Sequence, residues 1–122
     1  MSFRDAMETI DGKWKSPILL SLGFIGTMRF GELQRMHDGI PAKTLSKELK
    51  DLEQNGLVTR TVLDTMPVTV RYGITPYGRT LERLLLDLRA WGMGHREYIR
   101  TGNAPKRPAR RAVKPGKMVV VG

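Results

Sequence analysis

The sequence contains no cysteine among its 122 residues. This absence excludes a disulfide framework, thiolate metal sites, a cysteine nucleophile and a thiol redox sensor. Histidine is scarce too, since only His37 and His95 occur, and neither has a second ligand at metal-binding spacing. A nucleophile elbow, a phosphate loop and a dinucleotide fingerprint are also missing. The sequence therefore predicts no metal, no cofactor and no enzyme.

Long apolar runs are equally absent. The best candidate, residues 17–25, is interrupted by Ser21 and Gly23 and is far shorter than the roughly 20 apolar residues of a membrane helix. Acidic residues near the start of the chain occupy the place of the basic leader of a signal peptide. We therefore expect a soluble, cytoplasmic protein with no membrane partner.

Positive charge is abundant and unevenly placed. The chain has 21 Lys and Arg against 12 Asp and Glu, a net charge of +9, which favours a polyanionic partner such as nucleic acid or a membrane surface. Residues 103–122 carry six bases, three prolines and no acid. They predict a basic disordered tail behind one ordered domain of residues 1–102, with a merely solvated terminus as the alternative.

Helical spacing begins near the amino terminus. Apolar positions in residues 3–10 recur at the spacing of one helix face and predict a short first helix. Ser16 and Pro17 indicate an N-cap and first position for a second, buried helix, which Gly23 and Gly26 should end. The expected inward residues of this helix are Ile18, Leu19, Leu20 and Leu22.

The next segment predicts a helix-turn-helix. A short extended piece at 28–30 leads to a third helix over about 31–37, with Leu33 and Met36 inward. Residues 38–41 (DGIP) are typical of a tight turn whose proline starts the following helix.

The fourth helix, residues 42–55, has two contrasting faces. Leucines at 45, 49 and 52 share the core side, and the opposite side carries a lysine ridge. The ridge consists of Lys43, Lys47, Lys50 and Gln54. A solvated face balanced by Glu48, Asp51 and Glu53 is the alternative interpretation. Because those acids fall off the ridge on a helical wheel, we favour groove binding.

Period-two alternation follows over residues 57–75 and predicts two strands joined at 64–67. A final helix of about 37 Å should span residues 76–100. Its expected inward face consists of Leu81, Leu84, Leu85, Leu88 and Trp91. This face is longer than one small domain can cover, so the sequence predicts a two-fold homodimer.

The order of elements predicts an α+β fold: a winged helix-turn-helix domain with a long C-terminal dimerisation helix. A basic helix suits the major groove and a β-wing can reach the flanking backbone or the minor groove, so double-stranded DNA is the expected partner. We expect a sequence-specific regulator that reads a pseudo-palindromic operator. The first alternative is a non-specific architectural DNA-binding protein that relies on the basic tail. The second is a protein-interaction domain on a winged-helix scaffold.

Several spaced motifs in the correct order resemble those of the HxlR-type (MarR-related) bacterial transcription regulators, over about residues 5–92. The motifs are IDGKWK at 10–15, RFGEL at 29–33, the leucine-spaced run from Lys43 to Arg60, and VRYGITPYG at 70–78. The resemblance implies a homodimeric winged-helix repressor or activator, paired through its first and last helices.

Residue roles carry over by position. The resemblance implies groove contacts by Lys43, Thr44, Ser46 and Lys47 and a wing contact by Arg71, and the lysine ridge adds Lys50. Pairing through the first and last helices would place Phe3, Met7, Leu84, Leu88 and Trp91 in the dimer interface.

The chain also departs from the family pattern. Many relatives carry a cysteine just ahead of the first helix, where this chain has Met1, and thiol sensing is therefore not expected. Relatives often have a basic residue and then an acid in the wing, where this chain has Thr69 and Arg71. Trp14 and Trp91 could line a pocket for an unidentified small-molecule effector. Core or dimer interface is the favoured interpretation of both indoles.

Overall fold

The computed structural model describes residues 2–103. The predicted basic tail therefore falls outside the described part of the chain except for Asn103. The elements in chain order are α1 (Phe3–Thr9), α2 (Lys15–Ile25), β1 (Met28–Arg29), α3 (Phe30–Met36), α4 (Ala42–Gln54), β2 (Val58–Leu63), β3 (Thr69–Ile74) and α5 (Pro76–Thr101).

Two expectations about the ends of α2 are wrong. It begins at Lys15 with Trp14 as its cap residue, so Ser16 and Pro17 lie inside its first turn. It also continues through Gly23 and ends at Gly26, which takes a φ of 111°. At Gly23 the carboxylate of Glu82 occupies the space that a β-carbon would need. Its lack of a side chain therefore serves close packing rather than helix termination.

The helix-turn-helix consists of α3, a turn and α4. Leu33 is fully buried as predicted, but Met36 is 47% exposed, so the prediction that it faces inward is wrong. His37 takes the inward position instead: it is half-buried, and its Nε2 lies 3.0 Å from Ser21 Oγ. In α4, Leu45, Leu49 and Leu52 are all buried, which confirms the predicted core face.

The three strands form one antiparallel sheet in the order β1-β3-β2. Val58 and Ile74 pair at the base of the hairpin, beside the core, whereas Leu63 and Thr69 pair at its tip. Val62 is 53% exposed despite its period-two position, because the outer half of the hairpin extends beyond the core. Val68 is exposed as well and precedes the strand.

The chain divides into two compact units after Leu86. The first unit holds one hydrophobic core, to which α2, α4 and the sheet contribute most. Its buried members are Ile18, Leu19, Leu22, Met28, Leu33, Ile40, Leu45, Leu49, Leu52, Leu57, Val58 and Leu85. Leu20 is only partly buried against it. From α5, Leu85 is buried and Leu81 is partly buried, but Leu84 is 54% exposed.

The second unit begins at Asp87 and contains the rest of α5. Leu88 and Trp91 are exposed there, so the expectation that they face inward fails for the single chain, as it does for Leu84. Trp91 stacks on His95, with ring centroids 4.9 Å apart and planes within 8°. The ring centroids of His95 and Tyr98 are 6.5 Å apart.

The predicted fold class is confirmed: four helices, a small antiparallel sheet with a hairpin wing and a long C-terminal helix form an α+β winged helix-turn-helix. Within residues 2–103, no helix combines the length and the apolar character needed to cross a membrane.

Candidate nucleic-acid interface

The outward face of α4 presents most of the predicted contact residues. Lys43, Ser46, Lys47 and Lys50 are exposed, and Thr44 is half-buried on the flank. Because the leucines occupy the opposite side of the helix, these polar side chains are free of any role in the core. Among the described residues, Lys43 and Lys50 form no ion pair, so their charges are available to a ligand.

A lysine from α2 forms ion pairs with two of the three acids of α4. Lys15 Nζ lies 2.6 Å from Glu48 Oε1 and 3.4 Å from Asp51 Oδ2. Burial alone would lower the pKa of Lys15, but hydrogen bonds and charge attraction from the two carboxylates together raise it. Glu48 is thereby held away from the ridge, as the helical wheel predicts.

Asp51 behaves differently from Glu48. Its Oδ2 also lies 3.2 Å from Lys47 Nζ, so one acid does reach the ridge. The hydrogen bond from Lys47 is the main cause that lowers the pKa of Asp51, and Lys15 adds to it. The positive charge of Lys47 is therefore partly balanced, while those of Lys43 and Lys50 are not.

The turn before α4 is held by both polar and apolar contacts. Ile40 is buried, and its carbonyl oxygen accepts a 3.4 Å hydrogen bond from Gln34 Nε2. The Pro41 carbonyl accepts the first helical hydrogen bond, from the Leu45 N–H at 2.9 Å. Burial lowers the pKa of His37 at the start of this turn. These contacts fix the orientation of the first turn of α4 relative to α3.

The wing places Arg71 on the exposed side of the sheet, in the middle of β3. Its partner across β2 is Thr61, and its partner across β1 is Arg29. Sequence reasoning missed Arg29. Arg29 belongs to the RFGEL motif, but its place beside Arg71 depends on the pairing of β1 with β3, which no local sequence pattern predicts.

Phe3, Met7, Leu84, Leu88 and Trp91, predicted for the dimer interface, all lie at the surface of the single chain. Phe3 is 80% exposed and Trp91 65%, and the others are near half exposure. Trp14 is partly buried against the core, with Lys13 Nζ 4.8 Å from its ring centroid. This position supports the interpretation of Trp14 as a core residue. An effector pocket stays a prediction.

No group of three or more His, Asp or Glu side chains in residues 2–103 is arranged to hold a metal ion. The candidate site is therefore a surface of cations, hydroxyls and amide groups. Such a surface can donate hydrogen bonds to phosphates and to base edges, and a helix of the width of α4 fits a major groove.

A protruding helix after a tight turn, with a β-wing beside it, defines the class of winged helix-turn-helix proteins. The model of the HxlR-like helix-turn-helix family matches residues 9–100, and the chain belongs to this family. It is a transcriptional regulator with a helix-turn-helix DNA-binding fold.

Relatives and solved structures agree with this assignment. The chain is 41% identical over 91 residues to the HTH-type transcriptional regulator YdzF of Bacillus subtilis, covering 75% of this chain and 84% of that protein. The crystal structure of the HTH-type regulator YtcD superimposes with a TM-score of 0.73 at 41% identity, covering 80% and 99% of the two chains. A MarR-family regulator from Enterococcus faecalis gives 0.72 at 36% identity, with 80% and 91% covered.

Proposed function

We propose that this protein is a homodimeric regulator that reads a specific pseudo-palindromic operator through α4 and the wing, residues 57–75. The observation that carries the proposal is the separation of the two faces of α4. Three buried leucines hold the helix on the domain, and its lysines and Ser46 point to solvent. A helix presented in this way can enter a major groove without any loss of core packing.

The position of each residue along α4 indicates whether it contacts bases or phosphates. Lys43, Thr44, Ser46 and Lys47 lie in the first two turns, which reach base edges in helix-turn-helix complexes. A lysine can donate to the O6 and N7 acceptors of guanine, and a serine or threonine can serve several bases. Lys50 lies a turn further on, and we assign it to a backbone phosphate.

The wing residue Arg71 is assigned to the sugar-phosphate backbone beside the groove. In a two-fold dimer, each copy would place its α4 in a major groove and its Arg71 on the backbone. The exposed apolar residues Phe3, Met7, Leu84, Leu88 and Trp91 supply the surface that we assign to this dimer. Two recognition helices about 34 to 36 Å apart would match half-sites one helical turn apart.

We assign DNA reading and dimerisation to residues 1–102 and a sequence-independent electrostatic contribution to residues 103–122. The latter carry six positive charges and no negative charge. Charge of this kind attracts phosphates in any sequence and does not select among bases.

The experiment that tests the proposal is selection of bound duplexes from a random library, followed by affinity measurement on the selected site and on a scrambled duplex of equal length. A specific regulator should enrich an inverted repeat and bind it at least about 10³-fold more tightly than the scrambled duplex at the same salt concentration. Equal affinity for both duplexes would reject specific reading. That result would favour the architectural alternative.

A further inference from the structure

Two arginines face each other across the strands β1 and β3. The antiparallel register pairs Arg29 directly with Arg71 and Met28 with Tyr72. Directly opposed residues in an antiparallel pair project from the same side of the sheet, with β-carbons about 4.5 to 5.5 Å apart. Met28 is buried in the core, so Arg29 and Arg71 project from the other, solvent-facing side.

Such a pairing is unfavourable for the free protein. Like charges directly opposed across a ladder destabilise a sheet, whereas opposite charges stabilise it. Both arginines are exposed, so neither contributes to the core. The stability of the single chain therefore does not explain why two arginines occupy these positions, whereas binding of an anion would.

One carboxylate lies within the cluster. Glu32 accepts a 2.8 Å hydrogen bond from the backbone N–H of Arg29, and its Oε2 lies 3.8 Å from Arg29 Nη2. The backbone hydrogen bond is the main cause that lowers the pKa of Glu32, and the charges of Arg29, Arg35 and Arg71 lower it further. The one carboxylate in contact with this arginine pair among the described residues is therefore Glu32, and its contacts are with Arg29.

Glu32 cannot neutralise this cluster. The paired arginines carry two positive charges against the one negative charge of Glu32, which leaves an excess of one, and the carboxylate is held in place by its hydrogen bond to the Arg29 backbone. The 3.8 Å separation from Arg29 Nη2 is also long for a strong ion pair. The guanidinium groups keep donors for a further anion.

We propose that Arg29 and Arg71 together bind one backbone phosphate of DNA, forming a clamp between β1 and the wing that acts in addition to the groove contacts of α4. This inference rests on the proposed DNA-binding function and deepens it, because it adds Arg29 and assigns both arginines to a shared phosphate. Guanidinium groups match phosphate oxygens with paired hydrogen bonds, so two arginines can hold one phosphate from both sides.

The position of the clamp favours DNA over a free anion. Arg29 directly precedes α3, the first helix of the helix-turn-helix, and Arg71 belongs to the wing. These two elements flank the recognition helix in this fold class and contact the backbone rather than the bases. The contact should therefore add affinity on every sequence and leave base preference unchanged.

The test compares R29Q, R71Q and the double variant with R83Q, which removes the same charge from an exposed position on α5. Binding to the selected operator and to a scrambled duplex is measured over a series of salt concentrations. Each single variant should weaken both duplexes by the same factor and reduce the slope of log affinity against log salt by about 0.9 per lost contact. R83Q should leave affinity and slope close to wild type.

The double variant tests whether the phosphate is shared. If both arginines hold one phosphate, the loss in R29Q/R71Q is smaller than the product of the two single losses. Independent, multiplicative losses would overturn the shared clamp, as would unchanged affinity in R71Q. Failure of the wild type itself to bind any duplex would instead reject the proposed function.

A stability measurement excludes damage to the fold. In R71Q like charges no longer face each other across the ladder, so we expect its melting temperature to match or exceed that of wild type while its affinity for DNA falls. A fall in both would overturn the proposal, since it would mean that Arg71 stabilises the sheet. Added inorganic phosphate distinguishes a soluble ligand. If it raises the melting temperature of wild type but not of R71Q, while R71Q binds DNA normally, the site serves a free anion and the DNA clamp is wrong.

Discussion

Lys15 Nζ lies 2.6 Å from Glu48 Oε1, and this pair joins the start of α2 to the flank of α4. Both side chains are only about one-seventh exposed, at 14% and 13%. A carboxylate left without its partner in such a place carries a desolvation cost. The contact therefore both fixes the recognition helix and holds the carboxylate of Glu48 away from the lysine ridge.

Replacing Lys15 by Met should reduce the free energy of unfolding by about 1 to 3 kcal/mol, since Glu48 would lose a charged hydrogen-bond partner. It should also weaken DNA binding, because Glu48 and Asp51 would then repel phosphates. Urea denaturation and duplex titration measure the two effects. The control is Lys13→Met, two residues away and exposed, which should change stability far less. Equal effects of the two variants would contradict this role.

The lysine ridge gives a second prediction. Replacing Lys43 and Lys47 by Ala should weaken operator binding by about 1 to 3 kcal/mol for each base-contacting side chain. The fold should stay intact, because neither lysine supports the leucines of α4. Arg83→Ala/Arg89→Ala removes the same charge from exposed positions of α5 and serves as the control. Unchanged operator affinity in a folded K43A/K47A protein would remove α4 from the reading role.

Much of this arrangement follows from local periodicity. Leu45, Leu49 and Leu52 recur at helix spacing, so the sequence alone predicts which side of α4 is buried and which carries the lysines. Met36 and Val62 satisfy the same kind of pattern and yet lie at the surface. The core in this small domain ends before it reaches them, and periodicity does not reveal where a core ends.

Contacts between distant segments could not be predicted in this way. A side chain at position 23 of α2 would collide with Glu82, which lies far along the chain. The Arg29–Arg71 pair depends on the register between β1 and β3. This register cannot be predicted from the sequence, because a strand of two residues is too short to show an alternating pattern. Both features need the tertiary structure, since each member alone looks like an ordinary surface or helix residue.

The dimer gives a third prediction. Wild type should sediment as a dimer at micromolar concentration, and Leu88→Arg should raise the dissociation constant more than about tenfold, because one apolar side chain of each copy is replaced by a charge. Ala90→Arg introduces the same side chain on the opposite side of α5 and should leave the dimer intact. A wild-type monomer with full operator affinity would contradict the two-fold arrangement.

The basic segment gives a fourth prediction. Removing residues 103–122 should weaken binding to operator and scrambled duplex by similar factors and flatten the salt dependence of both, by about 0.9 per lost phosphate contact. A variant that keeps the length but replaces all six bases by Gln should behave like the deletion, which assigns the effect to charge. A sharp fall in the ratio of operator to scrambled affinity, with the slope unchanged, would mean that this segment reads sequence.

The last prediction concerns His37, at the turn before α4. Burial lowers its pKa in the folded protein below the ordinary value of 6.5, and its Nε2 lies 3.0 Å from Ser21 Oγ. Below about pH 6.5 the unfolded chain therefore binds a proton that the folded chain does not, so the free energy of unfolding falls as the pH drops toward the folded pKa. Above about pH 6.5 both states are neutral, and this contribution to stability is fully present.

The measurement is urea denaturation of wild type, His37→Gln and His95→Gln between about pH 5 and about pH 8. Asp51 and Glu32, with ordinary pKa values of 3.8 and 4.5, still titrate in part at the acid end of this window, but they do so in all three proteins, so the difference between variants reports on the histidines. His37→Gln keeps a side-chain N–H for Ser21 but cannot take up the proton, so its stability should depend less on pH than that of wild type. His95→Gln should retain the wild-type loss at acid pH. An unchanged acid-side loss in His37→Gln would show that the buried histidine is not its source.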